Sequence, residues 1–155
     1  MRLRRSLFSF TVLLAITVAG SLSADATDPL VQKTLKILAG EWETVSMARN
    51  GKSLPVPDGG KRRVIIREDK FTVVLDGKTS GTGSFVLDPA KKPMAIDIKL
   101  NLSDGKEAKY LGVIEVSDQE HRICWADPGK DRPTKFGAVE GSGHTLATYR
   151  RVKQP

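Results

Sequence analysis

From Trp42 onward the apolar residues of this chain return at every second position, and they do so repeatedly between short turn signals. The clearest run is Met94–Leu102, in which Met94, Ile96, Ile98, Leu100 and Leu102 point one way and Ala95, Asp97, Lys99 and Asn101 the other. Alternation of this kind makes a β-strand with one dry face and one wet face. The same period marks residues 42–48, 61–68, 70–76, 82–88, 109–116, 121–126 and 145–152. Asn50-Gly51, Asp76-Gly77 and Asp104-Gly105 are hairpin dipeptides, and Asp118-Gln119 makes a further short link.

About eight short strands in sequence, with hairpin-sized links, predict an all-β fold: an up-and-down antiparallel barrel, whose closure removes exposed edges. A two-sheet sandwich is the competing arrangement. A barrel of this size is either filled by side chains or just wide enough for one small ligand. One helix precedes the strands. Asp28 suits its N-cap and Pro29 its first position, Leu30, Val31, Leu35 and Leu38 recur at helical spacing, and Gly40 stands where it should end. About three turns of helix are too short to stand alone, so the apolar stripe must dock.

The N-terminus has the layout of a secretory signal peptide. Arg2, Arg4 and Arg5 precede a largely apolar stretch at residues 7–19, and the small residues Ser21, Ser23, Ala24 and Ala26 follow. The apolar stretch is shorter than the ~18 residues a membrane span needs. Residues 1–24 are therefore expected to be cleaved and residues 25–155 to form one exported domain, periplasmic or extracellular, with no membrane span left. Cleavage removes three of the 25 basic residues and none of the 18 acidic ones, so the net charge falls from +7 to +4. Nucleic-acid binding thereby loses most of its compositional support. One Cys rules out a disulfide within the chain and any multi-cysteine zinc site, and two His leave almost no stock for a His-rich metal site.

Few residues suggest chemistry. Cys124 lies between Ile123 and Trp125 in an apolar strand, facing the opposite side from both, and is expected to be a packed thiol rather than a nucleophile. Gly141-Ser142-Gly143-His144 lacks the elbow and the converging base that an activated serine needs, and reads as a turn into the last strand. Gly81-Thr82-Gly83-Ser84 reads as a hairpin turn or bulge, with no lysine or helix to make a phosphate cradle. Asn101-Leu102-Ser103 matches a glycosylation acceptor only incidentally. Asp97 is expected to be a solvated charge beside Lys99. The aperiodic stretch at residues 127–143 is the place to look for function, since loops this long are uncommon in compact domains. Within it, Arg132 and Phe136 are candidate ligand contacts. The competing reading is a plug, in which Phe136 seals one end of the barrel and Arg132 satisfies backbone carbonyls.

Leu38-Ala39-Gly40-Glu41-Trp42 resembles the Gly-X-Trp opening of lipocalin-like barrels, which likewise follows an N-terminal helix. The resemblance implies a basic side chain from the end of the last strand packed across Trp42, and both Arg150 and Arg151 are suitably placed. More narrowly, the chain resembles a family of secreted, uncharacterised lipocalin-like domains of planctomycetes. The matching blocks are Leu87-Asp88-Pro89, Lys92-Pro93, Ile96-Asp97, Leu111-Gly112-Val113, Ile123-Cys124-Trp125-Ala126, Pro128-Gly129, Arg132-Pro133 with Phe136, and Gly141-Ser142-Gly143 leading to Leu146. They run in order through nearly all of the chain after the leader. The resemblance implies a fold and an exported location, and no catalytic residue.

The expectation is thus an exported lipocalin-like barrel without catalytic residues, metal or cofactor, which binds a small, apolar molecule. Trp42, Arg150, Arg151, Cys124 and Trp125 are expected to be structural. The alternative is an envelope or extracellular interaction module with a filled barrel. It would bind a protein or an anionic surface through Lys61-Arg62-Arg63 and Lys91-Lys92.

Overall fold

The computed structural model describes residues 27–57, 61–102 and 104–153. The expected leader at residues 1–24 lies outside the described residues. Helix α1 (Pro29–Leu38) is followed by β1 (Gly40–Arg49), the two-residue β2 (Lys52–Ser53), β3 (Arg62–Arg67), β4 (Lys70–Leu75) and β5 (Lys78–Asp88). Then come β6 (Met94–Leu102), β7 (Glu107–Val116), β8 (Glu120–Ala126) and β9 (His144–Arg151). The strands pair in the order β1-β3-β4-β5-β6-β7-β8-β9, and β1 pairs with β9 as well. Every pairing is antiparallel, so eight strands close into a barrel and β2 merely extends the β1 turn. Closure excludes the sandwich.

The strands form where period two predicts them. Asp28 caps α1 through its carboxylate, which accepts from the backbone N–H groups of Leu30 and Val31 at 2.7 and 3.3 Å. The register sets one inward row around the barrel, in which Ile96 lies opposite both Leu87 and Gly112, and Gly112 lies opposite Trp125. The helix closes the end of the barrel at which β1 begins, and its Leu38 is 1% exposed against Trp42 at 0%.

Two irregularities interrupt the alternation. In β1 the register shifts between Thr44 and Ser46, so that Thr44 opposes Tyr149 but Met47, not Ser46, opposes Ala147. Val45 is the extra residue, and the bulge turns Met47 onto the core. The second shift lies between β4 and β5, where Val73 opposes Gly81 and Val74 opposes Thr79, leaving Ser80 as the extra residue. The stretch Gly81-Thr82-Gly83-Ser84 is consequently continuous strand, not a hairpin turn. Its turn is Asp76-Gly77, where Asp76 and Gly77 have φ of 49° and 76°. Gly83 is needed because Phe71 lies across it: a Cβ there would sit 2.4 Å from Phe71 Cζ and 2.2 Å from the Lys99 carbonyl oxygen.

The long β8–β9 connection does not seal the barrel. Arg132 donates to the carbonyls of Ile96 (2.9 Å) and Gly112 (2.7 Å) and pairs with Asp97 at 2.5 Å, which anchors the loop on the outer face of β6 and β7. Asp97 is therefore not the solvated charge expected, since it faces Arg132 and has Lys109 at 3.9 Å. Phe136 is not the seal either. It lies with the Arg122 guanidinium 4.4 Å from its ring centre, and Arg122 alternates outward beside inward His121 and Ile123. Beneath this loop the outward-facing Ala95, Val113 and Cys124, neighbours across β6, β7 and β8, are 0–2% exposed. The barrel thus has a second, smaller apolar layer on its outside.

Candidate functional site

The interior of the barrel is not filled. A cavity of about 280 Å³ lies inside it, walled by Ile66, Phe71, Phe85, Ile96, Ile98 and Trp125 among others. Leu38 of α1 bounds it at the helix end. The walls are overwhelmingly aliphatic and aromatic because period two delivers one apolar row from each strand to the same side. A volume near 300 Å³ is at the lower edge of what small-molecule sites occupy.

Four polar side chains interrupt this apolar lining. Arg62, Tyr110, His121 and Tyr149 all border the cavity, and Thr44 faces the same way by its register opposite Tyr149. Among the described residues, three buried polar atoms on this row have no hydrogen-bond partner: Thr44 Oγ1, Arg62 Nε and His121 Nδ1. His121 is 2% exposed. Its ring stacks on Tyr149 at 4.7 Å and meets Trp42 edge-on at 4.4 Å. Burial, helped by the nearby Arg151 charge, pushes its pKa down to about 3, so the imidazole is neutral across the physiological range. Burial raises the Tyr149 hydroxyl, with the Arg62 charge acting in the opposite direction.

The candidate site and structural residues singled out in the sequence lie among the described residues. Arg151, not Arg150, crosses Trp42, at 4.1 Å from its ring centre. Arg150 points outward, 3.9 Å from Glu43. Cys124 faces away from the cavity, as alternation predicts, and its thiol donates to the Gly137 carbonyl at 3.3 Å. Burial raises its pKa. Trp125 lines the cavity. Arg132 and Phe136 do not approach it, since both serve the outer layer. The Ser142 hydroxyl donates to the Val139 carbonyl at 2.6 Å and accepts from the His144 N–H at 3.1 Å, so it closes a turn. The Lys61-Arg62-Arg63 run is split by strand alternation: Arg62 turns inward, whereas Arg63 pairs with Glu41 at 2.7 Å on the outside.

The polar lining of the cavity was the part missed from the sequence. Arg62 shares its parity with Val64 and Ile66, but Ile65 makes the opposite face apolar too, so the parity alone did not mark the inward side. Comparisons of the chain with protein-family models and curated proteins, and of its fold with solved structures, find no significant match.

Proposed function

We propose that this chain is an exported, non-catalytic binding protein that takes one small, largely apolar molecule into its barrel, in the manner of lipocalin-like domains. The observation that carries this reading is the apolar cavity of about 280 Å³ inside the closed barrel. Burying apolar ligand surface there is favourable at ~25 cal/mol per Å², and the walls are already positioned by the strand ladders. The basic and apolar run that opens the sequence supports export. The Gly-X-Trp opening and the ordered blocks through the chain support kinship with the planctomycete domains.

Native mass spectrometry on protein recovered from its own host tests the reading. A reproducible added mass, lost in Leu100→Trp, which places an indole in the cavity, is the expected result. A bare chain, together with no binding of any small apolar molecule to the purified protein, would overturn it.

A further inference from the structure

Arginine in an apolar cavity needs an acceptor. The register places three arginines on the inward rows of the barrel strands: Arg49, Arg62 and Arg151. Arg49 reaches both carboxylate oxygens of Asp127 at 2.9 Å. Arg151 donates to the carbonyls of Ile37, Ala39 and Asp118. Arg62 differs from both. Its Nε is buried without a partner, and among the described residues no carboxylate or carbonyl receives its guanidinium. It stands at the first position of β3, in line with Val64 and Ile66, at the end of the barrel opposite α1.

Arg62 is half-buried: its Nε is enclosed while the rest of the guanidinium stays open to the mouth of the cavity, and among the described residues no carboxylate offsets this charge beside the apolar walls. A carboxylate offers the planar, two-pronged acceptor that matches it. The remainder of the cavity offers no second cation, as Tyr110 and Tyr149 contribute hydroxyls and His121 is neutral. One end of a bound molecule therefore meets a positive charge and the rest meets hydrocarbon. At about 30 Å³ per non-hydrogen atom, the share of a water molecule in the liquid, the space suits on the order of ten such atoms.

We propose that the ligand is an amphipathic monocarboxylate of this size, with its carboxylate on the Arg62 guanidinium and its tail among Ile66, Phe85 and Ile96. This rests on the carrier reading above and gives it a ligand class.

Isothermal titration of the protein with octanoate, 1-octanol and octylamine separates the two claims. The expected order is octanoate tightest, octanol at least tenfold weaker and octylamine weakest. Arg62→Gln should lower octanoate affinity by about ten- to a hundredfold, the range of a charge-assisted hydrogen bond, and leave octanol within about twofold. Arg62→Lys should retain part of the octanoate preference, and the wild-type ligand series stands even if the Gln variant misfolds. Equal binding of octanoate and octanol, indifferent to Arg62, overturns the carboxylate assignment and leaves the carrier reading standing. Failure of all three probes to bind overturns the carboxylate assignment, and together with a bare chain recovered from the host and no binding of any other small apolar molecule it overturns the carrier reading as well.

Discussion

The Arg151 guanidinium lies 4.1 Å from the centre of the Trp42 ring, and the two side chains divide the last carbonyls of α1 between them. The indole N–H of Trp42 donates to Leu38 at 2.7 Å. Arg151 takes Ala39 at 2.9 Å and also reaches Ile37. A helix C-terminus leaves such carbonyls without intrahelical partners, and here the first and last strands of the barrel supply them. The pair thus joins barrel closure to helix docking. Arg151 also explains Gly40, which has φ of 130°, since a Cβ there would come within 2.8 Å of its guanidinium.

Arg151→Ala should therefore destabilise the protein by about 1–3 kcal/mol, combining a cation–π contact with the loss of donors to the helix-end carbonyls of Ile37 and Ala39, the former part-buried. Arg150→Ala, which removes only an exposed charge 3.9 Å from Glu43, should cost less than ~0.5 kcal/mol. Urea denaturation of the two variants checks the contrast. Equal losses would mean that Arg151 does not hold the helix.

His121 should make stability depend on pH. Its pKa is about 3 when folded and near 6.5 when the chain unfolds. Between these values the unfolded chain binds a proton that the folded one does not, so stability rises with pH in this window. Its contribution is complete above about pH 6.5 and is lost progressively as pH falls toward 3, with a slope of up to ~1.4 kcal/mol per pH unit. Carboxylates add slopes of their own, so the informative quantity is the difference between wild type and His121→Phe in urea titrations from pH 7 to 4. A difference independent of pH would show that the imidazole is not held neutral.

The outer loop should protect Cys124. In the native protein burial raises the pKa of the thiol and the loop covers it, so a thiol reagent at neutral pH should react slowly. Arg132→Ala removes the hydrogen bonds to Ile96 and Gly112 and leaves Asp97, only 13% exposed, without its closest partner. The loss should be about 2–4 kcal/mol, with faster labelling of Cys124 and proteolysis within residues 127–143. Unchanged labelling would mean that another element shields the thiol.

Glycine substitutions should separate close approach from open space. Gly83→Ala drives a methyl into Phe71 and the Lys99 carbonyl and should cost about 1–3 kcal/mol by overpacking. Gly137→Ala meets nothing within 4 Å and should stay within about 0.5 kcal/mol of wild type. Thermal unfolding of both variants measures the difference.

Much of this fold was legible because a strand's facing rule is local. Met94–Leu102 declares its inward row by alternation alone, and Cys124 could be assigned to the face opposite Trp125 with no knowledge of the partner strands. Other segments were ambiguous. Val64-Ile65-Ile66 is apolar on both faces, so Arg62 could not be assigned to the interior by pattern alone. The Arg132–Asp97 pair joins residues 35 positions apart, and nothing in either segment announces the other. The length of the β8–β9 connection is taken up by its path across the outer face of β6 to β8, where Arg132 anchors it and the Gly137 carbonyl meets Cys124.

The sequence by itself determined the strands, their turns, the capped helix and the side to which most residues point, because these follow from backbone geometry repeated every two or 3.6 residues. Only the tertiary structure decided that β1 meets β9 and that Val45 and Ser80 bulge. It also decided that Arg151 rather than Arg150 crosses Trp42 and that Arg62 borders the cavity with no acceptor among the described residues. Each depends on the register between strands distant in sequence. Shifting that register by one residue, or inserting one bulge, reverses which side chains face inward.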